Sequence, residues 1–240
     1  MASILTGNPQ VAAQPIFSSS SVQMHALGEK MVTPDGRSFR YAKCGGTALV
    51  PGKLYQAPAE VTNHQDVVPA ATAIGATSVT VTLGNTAATA NQYAGGYLVV
   101  TVTPGQGYSY LISSHPAADA SATLTLSLVD PILVALTASS NCDLVSNAYN
   151  AVVVNPTTAT SCVAGAAVYP VAASEFGWLQ VGGVCPLLVD DQTIVVGTNV
   201  AASNQAAGAI EPHTGVQQIV GRAVTGGATT EYVAVNLLLA

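Results

Sequence analysis

Charge is what this sequence has least of. Lysine, arginine, aspartate and glutamate make up 8% of its 240 residues while 49% are hydrophobic, against about a quarter charged in an ordinary globular chain. That balance excludes intrinsic disorder, which needs low hydrophobicity and high charge. A membrane helix is excluded too, because a span needs about 18 consecutive apolar residues and none occurs. The greasiest runs, residues 132–136 and 163–168, have the length of strands and are broken or bounded by Thr, Gly and Pro. Residues 1–10 hold neither a basic leader nor the apolar stretch of a secretory signal, so export is not expected. Aromatic residues are scarce at 5%, with Trp178 the one tryptophan. The apolar surplus is carried by Ala and Val mixed with Thr, Ser and Gly, all small and many of them strand formers.

The signatures of catalysis are missing as well. A phosphate-binding loop needs GxxxxGK followed by Ser or Thr, so that backbone amides and a lysine converge on one phosphate chain. The stretch from Gly46 to Lys53 has one residue too many between its glycines, and Leu54 stands where the hydroxyl belongs. Gly105-Gln106-Gly107 lacks the third glycine of a dinucleotide fingerprint and has no helix after it. No GxSxG elbow is present. His25, His64, His115 and His213 lie in separate segments without an HExxH pattern, so no metal site is expected. Asp190-Asp191 is the only carboxylate doublet, and neighbours on a strand point to opposite faces. Cys44, Cys142, Cys162 and Cys185 have no CxxC spacing; they would allow three disulfide pairings but read as small buried apolar thiols. No cofactor is expected, and the chain does not read as an enzyme.

What is present is strand grammar. Ser78-Val79-Thr80-Val81-Thr82-Leu83 puts Val79, Val81 and Leu83 on one face and the threonines on the other, and residues 123–128 repeat the alternation. Residues 97–103 and 108–113 flank Pro104-Gly105 as a hairpin, and Pro34-Asp35-Gly36 and Pro51-Gly52 are further turns. Other strands are expected at 38–42, 54–56, 152–154, 178–181, 187–189, 194–196, 217–224 and 231–238. Gly, Pro, Val and Thr recur too often for a long amphipathic helix. The expected fold is mainly β, with short antiparallel strands in one or two barrel- or sandwich-like domains. Residues 1–35 read as an extended N-terminal arm, 36–155 as one β-rich domain and 156–240 as a C-terminal β-rich domain, divided at Asn155-Pro156.

The few charges are unevenly spread. Five of the six basic residues, Lys30, Arg37, Arg40, Lys43 and Lys53, fall in one segment, after which Arg222 alone stands against ten carboxylates. These five are the candidate contacts to a partner or a neighbouring copy, since a basic segment on an acidic protein steers docking onto an acidic surface. Nucleic acid is not an expected partner, because the net charge of −6 repels phosphates, and neither is a membrane. A surface this poor in charge is expected to be covered by other protein.

Three stretches carry a resemblance to a known family. They are Asp35-Gly36-Arg37-Ser38-Phe39-Arg40-Tyr41-Ala42-Lys43 with Pro51-Gly52-Lys53-Leu54-Tyr55; Gly107-Tyr108-Ser109-Tyr110-Leu111-Ile112 through Val129-Asp130-Pro131-Ile132-Leu133 to Tyr149-Asn150-Ala151-Val152; and Phe176-Gly177-Trp178-Leu179-Gln180-Val181-Gly182-Gly183 with Val220-Gly221-Arg222-Ala223-Val224 and Val233-Ala234-Val235-Asn236-Leu237-Leu238. In these the chain resembles the decoration, or cement, proteins of tailed-bacteriophage capsids. The resemblance implies a β-rich structural virion protein, made in the host cytoplasm, that binds the outer surface of the capsid and stabilises capsomer junctions. Its partners would be the major capsid protein and copies of itself, as trimers or other symmetric clusters, and it would have no active site. The alternative is a glycan-binding or adhesin-type β module of a head fibre or cell surface, with Trp178 and Tyr108 or Tyr110 as an exposed aromatic platform.

Overall fold

Alternating residues that bury one side chain in two favour half-buried antiparallel strands, and strands dominate the computed structural model, which describes residues 14–190, 192–215 and 217–239. The one helical element among them is a single 3-10 turn at Thr62–His64. All paired strands are antiparallel and belong to two sheets. The chain divides into two compact units: residues 1–58 with 148–240 form the larger, and residues 59–147 form a second unit inserted within it. This differs from the expected division at Asn155-Pro156, which falls inside the larger unit. The physical reason is strand pairing: β3 (Leu54–Gln56) lies between β10 (Val153–Val154) and β11 (Val163–Ala167), so chain from both sides of the insertion shares one sheet.

The larger unit is organised by β12 (Phe176–Leu188). Its first half pairs with β2 (Ser38–Lys43) and β11, and its second half pairs with β16 (Tyr232–Leu238). The sheet continues through β15 (Ile219–Ala223), β13 (Asn199–Ala202) and β14 (Ile210–Pro212), while β1 (Lys30–Val32) extends it beyond β2. The exchange of partner falls at Gly182, which registers with both Ser38 and Leu238. Gly183 beside it has φ +80°, and a Cβ there would lie 3.1 Å from the Arg37 Cα. Both facts call for glycine.

The first half of β12 is buried on both faces. Phe176 and Trp178 pack with Phe39, Tyr41, Ile16 and Met31, while Leu179 packs with Ala42, Tyr55, Val152 and Val171. A third cluster, including Cys185, Leu187, Val200, Val220, Val233 and Val235, underlies the C-terminal strands. The expected arm is corrected here as far as it is described. Residues 14–35 are built into this unit: Ile16 and Met31 are buried, and Trp178 donates its indole N–H to the Gln14 carbonyl at 3.0 Å. A buried indole needs such an acceptor. The rest of the expected arm, residues 1–13, lies outside the described residues.

The inserted unit orders its strands β4 (Val68–Pro69), β5 (Ser78–Thr82), β8 (Thr123–Leu128), β7 (Ser109–Ser114), β6 (Tyr97–Val102) and β9 (Asn141–Val145). Val67 and Cys142 exchange two backbone hydrogen bonds at 2.9 Å, which returns the first strand of this order to the last. The sheet thus curls around a core that includes Val79, Val81, Leu98, Ile112, Leu124 and Leu126. The residues that alternate with them, Ser78, Thr80, Thr82, Thr123, Thr125 and Ser127, stand on the outside in register. Thr80 and Thr125 hydrogen bond across the strands at 2.9 Å.

Candidate interaction surface

The five candidate basic residues all belong to the larger unit, but they do not form one face. Lys30 and Arg40 are direct cross-strand partners on β1 and β2. Arg40 also donates to the Gly28 carbonyl at 2.8 Å. Lys43, of opposite parity on β2, lies over the Phe176 ring at 5.8 Å. Arg37 is already paired, its Nε 2.7 Å from an Asp35 oxygen and its guanidinium over the Phe39 ring at 5.6 Å. Hydrogen bonds from Thr33 and Arg37 hold the Asp35 carboxyl down at about 2. Lys53 follows the turn at Gly52 and lies against Gly208. Lys30 and Arg40 are therefore the two cations that the register places side by side.

Trp178 is core. It is 2% exposed and meets Tyr41 edge-on at 5.0 Å. The platform that a glycan-binding module would need is thus absent at this position. Tyr110 is buried too, and exposed Tyr108 stacks on it at 6.4 Å.

Sequence reasoning missed the outward side of the C-terminal strands. The register sets Leu188 beside Tyr232, Pro186 beside Ala234 and Val184 beside Asn236. Val184, Val224, Tyr232 and Leu238 are exposed. Arg222, opposite Asn236, is the one charged residue on these strands' outward positions, and it reaches Asn199 Oδ1 at 3.3 Å. Soluble sheets usually place charged or polar residues at such positions. The signal was there in Val184, Pro186, Ala234 and Leu238, which alternate with buried residues; but a strand apolar on both sides reads as one buried on both sides.

Three of the four thiols are buried, as are the carboxyls of Asp190 and Glu211. All four cysteines are free, and burial pushes the Cys142 and Cys185 thiols up to about 12, away from the reactive thiolate. Asp190 accepts from Ser203 Oγ at 2.7 Å and from the Gln192 amide at 2.8 Å, while Glu211 accepts from Gln217 at 2.8 Å. Both carboxyls are buried. Among the described residues no group of three or more His, Cys, Asp or Glu is placed to hold a metal ion, and no helix is long and apolar enough to cross a membrane. Comparison with protein-family models, curated proteins and solved structures finds no match to this chain.

Proposed function

We propose that this chain is a non-catalytic structural protein of the virion, which binds the outer surface of a phage capsid and stabilises capsomer junctions alongside copies of itself. The observation that carries the reading is the outward side of β12, β15 and β16. There Val184, Pro186, Val224, Tyr232, Ala234 and Leu238 stand with Arg222 as the one charge. Exposed apolar surface of this kind marks sites of protein association, and protein interfaces are depleted of charge at their centres. The sequence resemblance to capsid decoration proteins supplies the partner class. The net charge of −6 disfavours nucleic acid as the partner.

The test is cryo-electron microscopy of particles from a source that encodes this chain, paired with reconstitution of stripped particles using Val184→Asp and Leu238→Asp variants. Symmetric density over capsomer junctions, lost in both variants while their melting temperatures stay within about 2 °C of the parent, is the expected result. Absence of the chain from the particle, or full binding by both variants, refutes the proposal.

A further inference from the structure

The inserted unit holds two buried imidazoles that the proposed surface does not use. His64 and His115 are 0% and 4% exposed, and Tyr93 lies between them at 1%. The ring centroids are 5.6 Å apart for His64 and Tyr93 and 5.8 Å apart for Tyr93 and His115. One residue bonds both rings. The Tyr93 hydroxyl is 2.5 Å from His64 Nδ1, and the Tyr93 backbone N–H donates to His115 Nε2 at 2.9 Å.

The remaining contacts assign the protons. His64 Nε2 lies 2.9 Å from the Thr86 carbonyl, and His115 Nδ1 lies 2.7 Å from the Pro116 carbonyl. A carbonyl only accepts, so those two nitrogens carry hydrogen, and the nitrogens facing Tyr93 are the acceptors. Both rings are thereby satisfied in the neutral form.

A second proton has different consequences on the two rings. On His64 the Tyr93 hydroxyl, which also receives Gln92 Nε2 at 3.3 Å, can rotate and accept. On His115 the partner is a backbone N–H, which has no lone pair to offer, so two donors would face each other inside a buried site. We infer that His115 is an acid-sensitive latch of the inserted unit: proton uptake at its Nε2 breaks the bond to the Tyr93 amide and releases the turn that leads into β6.

The surroundings supply no compensation. The ionisable groups against the cluster are His64 from the 3-10 turn, Tyr93 from the turn before β6 and His115 from the segment after β7. Asp66, two residues from His64, is exposed and takes the Asp143 carboxylate on its amide at 2.8 Å; Asp119 is exposed also. Among the described residues neither forms an ion pair with an imidazole, and the unit contains no lysine or arginine. Burial lowers the affinity of His115 for a proton, and the His64 ring adds to this against the opposing Pro116 hydrogen bond. The turn is also held at Asn91, whose side-chain Oδ1 accepts from the His115 amide and whose own amide donates to the His115 carbonyl, both at 3.0 Å.

The direction follows from linkage. The folded unit excludes a proton that unfolded histidine binds near pH 6.5. Stability is therefore full above about pH 6.5 and falls as the pH drops below it, by up to about tenfold in the opening equilibrium per pH unit for one linked proton. Hydrogen–deuterium exchange of the full chain between about pH 7.5 and about pH 5, corrected for intrinsic rates, reads this directly. Protection at Tyr97–Val102 is expected to fall about tenfold per pH unit below about 6.5, while Tyr232–Leu238 keeps its protection. His115→Gln retains an acceptor for the Tyr93 amide but takes no proton, so it is expected to lose the acid step. An acid step unchanged in this variant overturns the inference. Should the variant not fold, ring resonances of the parent decide. His115 staying neutral until protection is lost supports the latch, and His115 titrating near pH 6.5 with protection intact overturns it.

Discussion

Replacing Glu211 by Gln should stabilise the larger unit at alkaline pH. Glu211 on β14 and Asp190 after β12 are 1% and 3% exposed, and the two carboxyls are close enough to interact. Burial, and then the charge and hydrogen bond of Asp190, raise the Glu211 pKa against the Asn204 amide and Gln217 amide that favour its ionised form. The raised pKa favours the protonated form of Glu211 more than it would in water, and Asp190 accepts from Ser203 and the Gln192 amide. A carboxyl whose folded pKa is raised contributes stability that is fully present below its unfolded value and lost as pH rises through the folded one. Glutamine keeps a donor towards Asp190 at every pH and never becomes a second anion, although it gives up one of the two oxygens that accept from the Asn204 amide and from Gln217. Two adjacent ionised carboxylates held out of water, with no proton between them, cost on the order of 1–3 kcal/mol relative to the pair sharing one proton. The variant should therefore gain about 1–2 kcal/mol at about pH 8 and nothing at about pH 4.5. At about 2–4 °C per kcal/mol, the alkaline midpoint rises by about 2–8 °C. Trp178 is the one tryptophan, buried in this unit, so its emission during thermal melts reports the unit selectively. A variant that melts below the parent at alkaline pH, or a parent midpoint equal at both pH values, refutes the shared proton.

Two further substitutions test the packing. Leu126→Ala removes a fully buried side chain from the curled sheet of the inserted unit and should cost about 2–5 kcal/mol, read as a loss of amide protection in β5 and β8. Gln14→Ala strips the Tyr41 hydroxyl of its acceptor at 2.7 Å and the Phe176 carbonyl of a donor at 3.0 Å, which should cost about 1–3 kcal/mol and shift Trp178 emission to the red. Unchanged stability in Gln14→Ala would mean that residues 14–35 contribute little to the fold.

The strands that were legible were those whose two faces differ. Ser78–Thr82, Thr123–Leu128 and the hairpin of Tyr97–Val102 with Ser109–Ser114 stand almost where alternation put them, because each buries one face and wets the other. Phe176–Leu188 was read as two short strands. It is one, since its first half is buried on both faces and gives no period, and Gly182-Gly183 resembles a turn where the strand only changes partner. Residues 194–196 had the composition of a strand but form only the isolated bridge from Ile194 to Gly227. Asn199–Ala202 and Ile210–Pro212 are too short and too mixed for periodicity to detect. The nested division was hidden for a different reason: the pairing of Leu54–Gln56 with Val163–Ala167 spans the entire insertion, and no local pattern encodes a contact at that separation. The five basic residues were legible as a group in sequence, but alternation along β2 sends Arg40 and Lys43 to opposite sides.

The same division sharpens the uneven charge. Every lysine and arginine lies in the larger unit, whereas the inserted unit carries Glu60, Asp66, Asp119, Asp130 and Asp143 with no cation. Within the larger unit, Lys30 and Arg40 stand directly opposite each other, and among the described residues neither has an ion-pair partner. Like charges in that register destabilise a strand pair by about 0.2–1 kcal/mol. In a protein with so few charges, such a pair makes sense as a contact for an anionic surface, where the two charges that repel each other would act together. Lys30→Gln separates stability from binding. It should raise the stability of the free chain by about 0.5 kcal/mol, read by Trp178 emission, and should weaken attachment to stripped particles with a flatter dependence on ionic strength. Attachment as tight as the parent's and equally sensitive to salt would remove these two residues from the contact. The outward side of β12 and β16 would then have to bear it without them.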